Sequence, residues 1–578
     1  MSLTSAMLIG RSGLTASQAG VQVAANNIAN ASTPGYSRQI MSLLPTRGQT
    51  LGAYGSIGRG VSIGGIARQV SEAVQARLWS SQAQYASASA QLDSLSALEA
   101  TLQELTGNDL SSELASFFGG WSGAANLENS NTLVVQQGQR LAEFMHNIRS
   151  DVLDVRQQIQ SQLDGLAGRA NELLDGIADL NKSIVRTERG AAQANALRDQ
   201  RDMLVTSLSQ LVDTNIVEQA DGQYDVLVAG TPVVLGARNL GINVRVDADG
   251  SRLTSTVVLS TNGQPLPIDG GMIGGLLASR DIGIEETLGT LDDIASQLIF
   301  EVNKLHSTGI PTPGLTSTSS LRTIPTADRT TAINSPLNAA FADLPFQAVN
   351  GGFTVNITHK DSGLTETVRI DVDLDGITNA GVPGYDDDTS VEDLRAALNG
   401  IDNLSATFGA DGRLQINADA GYEVAFADDT SDVLAVLGVN AFFRGTTAAD
   451  MNVRTDLLND PTRLATAKMI GDTVVDNGTS LAIANLQNDG IDALSGNSLQ
   501  EHWAQRVQRI AVDTEFAQDR LQSTAIVSES LEAQRAAASG VSIDEESINL
   551  INYQKQYEGS ARVISVAREL LDTLLASV

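Results

Sequence analysis

Apolar residues along this chain fall mostly at helical rather than strand spacing. Near the start, Met7, Leu14, Val21 and Ile28 recur every seven residues, and the positions between them, Leu3, Gly10, Ser17 and Ala24, are mostly small. A 3,4 spacing with one line small predicts a helix that a neighbouring helix can approach closely. At the other end Leu550, Tyr557, Ile564, Leu571 and Val578 keep the same period, with Tyr553, Ser560, Ala567 and Leu574 between them. Segments of about four to five heptads are marginal as free helices and gain order by packing. The large apolar positions of both seams serve either packing within the chain or contacts between copies; the spacing is common to both.

Between the two ends the period changes several times. Thr33-Pro34-Gly35-Tyr36 predicts a type II turn, with Pro second and Gly third, where φ must be positive. The glycine-rich stretch from Gly52 to Gly65 predicts extended, hairpin-like chain. Helix resumes near Glu72, with Leu92, Leu95, Leu98, Leu102 and Leu105 at helical steps, and breaks at Gly107-Asn108-Asp109. The most regular seam follows: Leu141, Met145, Ile148, Val152, Val155 and Ile159, then Leu166, Ala170, Leu173, Ile177, Leu180 and Ile184, interrupted at Gln162. One helix over that span is about 65 Å long. After Gly190 a shorter helix carries Leu197, Leu204, Leu208 and Leu211. Strand-like text then runs from Asp221-Gly222 to about Pro267, and helix returns with Leu288, Leu291, Leu298, Val302 and Leu305 on one face.

From about Pro311 the composition turns to Thr, Ser, Asn, Asp and Gly. Alternation appears in Val368, Ile370, Val372 and Leu374, and one helix is capped by Ser390 with Asp393 and stopped by Gly400. The fold class expected is mainly α with β-rich insertions, an α+β multidomain chain. Its parts are paired N- and C-terminal coiled-coil-like helices, an elongated helical body and an outer inserted domain. The domains expected are 1–45 with 535–578 as a terminal helical unit, 46–315 with 451–534 as the body, including a β-rich part at about 213–270, and 316–450 as the α+β insertion.

Composition narrows the function. The chain has 578 residues, 37 basic against 68 acidic side chains, a net charge of −31 and no cysteine. Without cysteine there is no disulfide frame, thiolate metal site or cysteine nucleophile. Net acidity argues against nucleic acid, whose phosphates call for clustered Lys and Arg. No run of about 18 apolar residues predicts a membrane span. The opening residues lack the charged and apolar regions of a cleavable signal peptide. Residues 1–71 carry Arg11, Arg38, Arg47, Arg59 and Arg68 and no acid, whereas 540–578 carries a net charge of −3. Ends of opposite charge pair with each other or with neighbouring copies.

Candidate chemistry is sparse. His146, His306, His359 and His502 are scattered, without zinc spacing; solvated or partner-facing roles are expected for them rather than catalysis. Gly55-Ser56-Ile57-Gly58-Arg59-Gly60 only approximates a nucleotide-binding glycine pattern. Asp371-Val372-Asp373-Leu374-Asp375-Gly376 matches the first half of an EF-hand loop, but Val382 stands where the bidentate Glu belongs. The competing account is a strand with aspartates outward that ends in an Asp-Gly turn, and it is the one adopted. No catalytic, cofactor or metal set is therefore expected, and the chain reads as a self-associating scaffold rather than an enzyme.

The turn region carries a specific likeness. Ala25-Asn26-Asn27-Ile28-Ala29-Asn30-Ala31-Ser32-Thr33-Pro34-Gly35-Tyr36-Ser37-Arg38-Gln39 resembles the signature of the bacterial flagellar rod, hook and hook-associated family. Ser539-Gly540-Val541-Ser542-Ile543-Asp544-Glu545-Glu546, with Asn549, Leu550, Ile551, Tyr553 and Gln554, resembles that family's other end. Leu197-Arg198-Asp199-Gln200-Arg201-Asp202 with Leu204, and Gly274 to Asp281 running on to Asn303 and His306, resemble its hook–filament junction members. The resemblance does not reach 316–450. It implies export through the flagellar channel without a cleaved signal, an extracellular place at the hook–filament junction, and assembly of copies into a ring. The implied partners are further copies of the chain, hook protein, the second hook–filament junction protein (hook-associated protein 3) and an export chaperone at the C-terminal helix. The residues expected to assemble are Leu3, Met7, Leu14, Val21, Ile28, Leu550, Tyr557, Ile564, Leu571 and Leu574. Asn26, Asn27, Asn30, Thr33, Pro34, Gly35, Tyr36 and Arg38 are expected to form the joint between layers. The alternatives are a hook or distal-rod protein, or a secreted adhesin or enzyme with its activity in 316–450.

Overall fold

The computed structural model describes residues 3–50, 56–103, 107, 109–126, 130–189, 192–249, 252–471 and 473–576. Val578, Leu105, Asn108, Gly190 and the Gly52 and Gly55 of the glycine-rich stretch lie outside the described residues. The helices, in chain order, are α1 (Leu3–Ala29), α2 (Glu72–Leu102), α3 (Leu110–Asn126), α4 (Asn131–Thr187), α5 (Asn195–Leu211), α6 (Gly271–Ala278), α7 (Glu286–Ser307), α8 (Val391–Asn399), α9 (Val433–Leu437), α10 (Thr455–Asn459), α11 (Gly478–Asn485), α12 (Leu499–Ser539) and α13 (Ile543–Ala576). A π-helical turn, Ser279–Glu285, joins α6 to α7. The chain divides into two compact units: residues 1–95, 158–281 and 513–578, and residues 96–157 and 282–512.

In the first unit, α1 and α13 pack antiparallel, and the turn after α1 leads into a ribbon. Gln39–Pro45 pairs with Val61–Arg68 and carries a bulge after Ser42. Farther on, Thr214–Glu218, Tyr224–Val228, Thr231–Leu235 and Arg238–Asn239 form an antiparallel meander, followed by the hairpin Ile242–Asp249 and Arg252–Leu259. The meander packs on the part of α4 that belongs to this unit, and there the seam differs from the expected one. Leu163, Ala167, Ala170, Leu174 and Ile177 are buried, while Leu166, Leu173 and Leu180 are only half-buried. The line passes through Leu163, beside the Gln162 taken as an interruption, and through the polar Asn181. That side chain belongs on the line because the meander's edge supplies its partners. Its amide donates to the carbonyls of Tyr224 (2.8 Å) and Gly236 (2.6 Å) and accepts from the Tyr224 N–H (3.1 Å). A seam read from apolar residues alone skips such a position.

The second unit holds the part of α4 up to Gln157, where Leu141, Met145, Ile148 and Val152 are buried as the spacing predicts. Its β-structure includes two three-stranded antiparallel sheets. One orders Thr365–Val372, Gly351–His359 and Tyr422–Ala427; the other orders Ser317–Thr323, Arg413–Ala418 and Leu404–Phe408. The predicted α8 is present with its capping box, in which the Ser390 hydroxyl accepts from the Asp393 N–H and the Asp393 carboxylate accepts from the Ser390 N–H. The box satisfies two amides that the first helical turn leaves open.

His306 departs from its expected solvated role. It is fully buried at the end of α7, with its ring 5.7 Å from Phe442 and 6.2 Å from Trp121. The Ala465 N–H donates to Nε2 (3.1 Å), so Nδ1 carries the proton and donates to the Asn440 carbonyl (2.6 Å). Both ring nitrogens are thus used by the neutral form, and burial pushes the imidazole down to about 4. Asn303, one turn earlier, accepts from the N–H groups of Phe442 and Phe443 and donates to the Phe443 carbonyl. The helix and the 440–443 segment are joined by these two polar side chains.

A pH dependence follows from His306. An unfolded imidazole titrates near 6.5 and the folded one near 4, so the unfolded chain holds more protons between those values. The contribution is complete above pH 6.5 and is lost as pH falls toward 4, by about 3 kcal/mol. Urea midpoints measured across that range should fall on acidification, and His306→Gln should flatten the fall while lowering the midpoint at neutral pH.

Candidate assembly interface

The closest approach of α1 to α13 runs along small residues. Gly10, Ala16, Ser17, Gly20, Ala24 and Asn27 are the buried positions of α1. A Cβ on Gly20 would lie 2.5 Å from Cδ1 of Tyr553, and one on Gly10 would lie 2.7 Å from Cγ1 of Ile564. Glycine inside a helix costs about 1 kcal/mol relative to alanine, so these positions are held for proximity rather than helix strength. On α13 the line facing α1 includes Glu546, Tyr553, Ser560, Ile564 and Ala567, with Glu546 and Ala567 buried. Within one chain the contact thus follows the small and polar line of both seams. Met7, Leu14, Val21, Ile28, Leu550 and Leu571 flank it, half-buried, as does Leu3. Tyr557 and Leu574 point away, 41% and 56% exposed. Leu574 belongs to a solvent-facing apolar stripe on α13 with Ile548, Ile551, Val563, Val566 and Leu570.

The turn after α1 closes on the start of α13 through a buried polar node. Asn27, fully buried, donates to Oε2 of Glu546 (3.0 Å) and to the Gln39 carbonyl (2.9 Å), and accepts from the Gln39 N–H (3.0 Å) and the Tyr36 hydroxyl (2.7 Å). Its amide has no capacity left unused. Arg38 meets Glu546 through Nη2 (2.7 Å) and Nε (2.8 Å), and Glu545 through Nη1 (3.0 Å). The Arg38 N–H donates to the Ser539 carbonyl (3.0 Å). The carboxylate of Glu546, 3% exposed, is therefore paired with Arg38 and hydrogen-bonded on both oxygens. The oppositely charged ends of the chain meet here, within one copy.

Proline and glycine make the loop possible. The Tyr36 N–H donates to the Thr33 carbonyl (3.2 Å), and Gly35 has φ +76°, as the predicted type II turn requires. Asn26 donates to the Tyr36 hydroxyl (3.0 Å), and Asn30 donates back to the Asn26 carbonyl (2.9 Å) at the helix end. Burial is the main cause that raises the Tyr36 phenol above its ordinary value, with the Asp199 carboxylate second. Beside this turn a cavity of about 550 Å³ is lined by Pro34, Tyr36, Met203, Glu532 and Arg535, among others.

A second polar node supports the first. Arg68 at the end of the ribbon pairs with Asp199 (2.9 Å) and Asp202 (2.7 Å) of α5, and Asp199 also accepts from the Ser37 N–H (3.4 Å). Burial alone would push the Arg68 guanidinium down, but the two carboxylates outweigh it and hold it up. Arg201, fully buried, lies 3.3 Å from the centre of the Tyr224 ring and donates to Asn181 (2.8 Å) and the Gly222 carbonyl (2.7 Å). Arg198 pairs with Glu188 and Glu218. Arg198, Asp199, Arg201 and Asp202 are thereby engaged in holding α5.

Residues 95–318 match the family described as flagellar hook-associated protein FlgK helical domain. Residues 7–36 match flagella basal body rod protein, and residues 532–577 match flagellar basal body rod FlgEFG protein C-terminal. Flagellar hook-associated protein 1 of Salmonella typhimurium is 28% identical over 98% of both chains. The chain is similar to flagellar hook-associated protein 1 along almost its whole length. The Escherichia coli member is 26% identical over 98% of both chains, and the Bacillus subtilis member 25% over 98% of this chain and 96% of its own. The flagellar hook junction protein FlgK from Burkholderia pseudomallei shares the fold, with a TM-score of 0.52, 15% identity, and coverage of 80% of this chain and 100% of that one. The two rod-family segments are α1 with its turn, and α13 with the end of α12, which are the elements the buried node joins.

Asn27, Tyr36 and Arg38 of the expected joint meet in that node, and Asn26, Asn30, Thr33 and Gly35 shape the loop around it. Pro34 is exposed beside the cavity. Gln39, Arg68, Gly20 and Glu546 were absent from the expected set. The signal for Glu546 was available, because Asp544-Glu545-Glu546 is the acidic run opposite an acid-free N-terminal segment. Asn27→Ala would strand one oxygen of Glu546 and both backbone groups of Gln39, and should cost about 2–4 kcal/mol. Gly20→Val should force Tyr553 aside. In both variants amide hydrogen exchange across Ile543–Ala576 should accelerate, whereas Ala25→Ser, on the exposed side of α1, should leave it unchanged.

Proposed function

We propose that this protein is a structural adaptor of the bacterial flagellum, which assembles as a ring between hook and filament. The observation that carries this reading is the likeness to flagellar hook-associated protein 1 over 98% of the chain, at both ends and through the helical body. In this reading 1–45 with 535–578 form the inner, tube-wall layer. Residues 46–315 with 451–534 form the body, and 316–450 the outer insertion. The partners are further copies, hook protein on one side and the second hook–filament junction protein (hook-associated protein 3) on the other. Delivery is through the flagellar export channel, with an export chaperone holding α13 beforehand. Among the described residues no helix is long and apolar enough to cross a membrane.

Two features of the terminal helices support the proposal. The node around Glu546 fixes α1 and α13 to each other within one chain, so the pair enters assembly as one object. The stripe from Ile548 to Leu574 then remains on the outside of that pair, an apolar surface that copies in a ring can cover. Contacts between copies repeated around a ring join two different surfaces, which suits a helix pair whose two outer sides differ.

Loss of the protein should leave hooks intact, prevent filament retention and release flagellin into the medium; absent hooks would instead mark a hook or rod component. Leu574→Asp, at an exposed site, should keep the fold by circular dichroism yet abolish motility through failed assembly or chaperone binding. Leu571→Asp, half-buried beside α1, should also reduce stability. Unchanged motility in both variants would remove the role given to this stripe.

A further inference from the structure

The insertion contains a feature that the junction role does not use. After Thr365–Val372 the chain continues through Asp373, Leu374, Asp375 and Gly376, loops out, and returns through Asp386, Asp387, Asp388 and Thr389 to the capped start of α8. As the strand reading requires, Val372 and Leu374 are buried, and Asp371, Asp373 and Asp375 are exposed. That reading did not foresee the return of Asp388. The Asp373 N–H donates to the Thr389 hydroxyl (2.8 Å), and the Thr389 N–H donates to the Asp373 carbonyl (2.7 Å), which registers the two segments. The turn at Gly376, with φ +65°, aims its N–H at Oδ2 of Asp388 (3.1 Å). As a result one carboxylate oxygen each from Asp373, Asp375 and Asp388 lie within 4.8 Å of one another.

A second observation separates this cluster from an ordinary acidic surface. Asp388 is 4% exposed, and while its Oδ2 accepts from Gly376 and from Nδ2 of Asn334 (2.6 Å), its Oδ1 is buried with no hydrogen-bond partner. Oδ1 of Asn334 is likewise buried and unpartnered. The amide of Asn334 is not free to turn over, because Nδ2 is held by the Asp388 carboxylate. Nor does a cation of the protein neutralise the group. Arg369 pairs with Asp371 and Arg395 with Glu392, and none of the described ion pairs engages Asp373, Asp375 or Asp388. Buried oxygens without donors, next to two more carboxylates, are the arrangement that a hard cation satisfies.

We infer that Asp373, Asp375 and Asp388 form a calcium site, with the amide oxygen of Asn334 as a further ligand and water completing the shell on the open side. Two oxygens on one ion lie at most twice the bond length apart, about 4.6–5.2 Å for Ca²⁺ and about 4.0–4.2 Å for Mg²⁺. The three oxygens lie within the calcium limit, and ligands drawn from a loop with water on the open side suit its flexible shell rather than the near-ideal octahedron that magnesium demands. Asp371 lies outside the group, committed to Arg369. The ligands thus come from the two ends of the 373–388 loop and from Asn334, rather than from twelve consecutive residues. This is why Val382, at the EF-hand's last position, does not matter here. A site of this openness belongs with extracellular modules that bind calcium with Kd of about 10⁻⁴ to 10⁻³ M. Its effect would be to pin the exposed loop carrying Ile377, Val382 and Tyr385 to the sheet behind it. The inference is independent of the junction reading.

Calorimetric titration of the full, chelator-treated chain with calcium chloride tests it. One ion should bind per chain, with Asp375→Asn and Asp388→Asn each weakening affinity about tenfold or more and Asp371→Asn leaving it unchanged. Asp375 is exposed and its asparagine can still accept from the Ile377 N–H, so that variant should remain folded. Absence of saturable binding at millimolar calcium, or binding that survives in Asp375→Asn, would overturn the site. Magnesium chloride binding as tightly as calcium would overturn the assignment of the ion.

Discussion

The burial of one carboxylate governs the first unit. Glu546 sits at the start of α13 with 3% of its side chain exposed, where an unpaired charge would cost several kcal/mol. Arg38 and Asn27 satisfy it from two points on the other end of the chain, 508 and 519 residues away in sequence. Because each partner is also tied elsewhere, the node has one geometry. Asn27 spans Gln39 and Tyr36, and Arg38 reaches back to Ser539 through its own N–H. A hydrophobic replacement could match its stability, since buried ion pairs seldom exceed well-packed apolar groups in net energy. What a sliding apolar contact would lack is register. The node sets which residue of α1 faces which residue of α13, and Gly20 then has to meet Tyr553.

That register explains why the two terminal helices use glycine, serine and alanine on their shared side. Small residues bring the backbones together and leave the larger apolar side chains at the flanks and outside. A helix pair closed by large residues would spend its apolar surface internally. This pair keeps a stripe from Ile548 to Leu574 in solvent, an exposed apolar surface of the kind that marks an interaction site. The internal node and the external stripe are thus complementary: the first fixes the helix pair, and the second leaves an apolar surface on its outside.

Much of this was legible from periodicity, and the departures share a physical cause. The terminal helices, the long α4, the type II turn and the Ser390 capping box follow from local rules and appear where those rules put them, whereas no helix was expected at α3. The errors lie where a polar side chain takes a core position. Asn181 continues the α4 seam because the meander edge gives it three hydrogen bonds, and so the apolar pattern seemed to jump register at Gln162. His306, rather than Leu305, turns inward because Ala465 and Asn440 use both ring nitrogens. Likewise, the seven-residue repeats of the ends were visible, but the face turned toward the partner helix was the small line. Spacing identifies a seam; only the identity of the partner shows which of its lines is the contact.

The aspartates of the insertion take this reasoning one step further. In the node, the buried carboxylate has an arginine and an amide; at Asp388 the corresponding oxygen has neither. The two sites differ in what the rest of the chain can bring. α1 and its turn deliver Arg38 to Glu546, whereas the segment 361–400 carries ten acids and two arginines, both already committed to Asp371 and Glu392. Local sequence matched only half of a calcium loop because the missing ligand comes from beyond the turn, carried in by the hydrogen bonds between Asp373 and Thr389. At Asp388 the hydrogen bonds from Gly376 and Asn334 reach only Oδ2, and none of the described ion pairs brings a cation to Oδ1. Two further carboxylates within 4.8 Å make an ion from solution the chemical answer, since it neutralises all three at once.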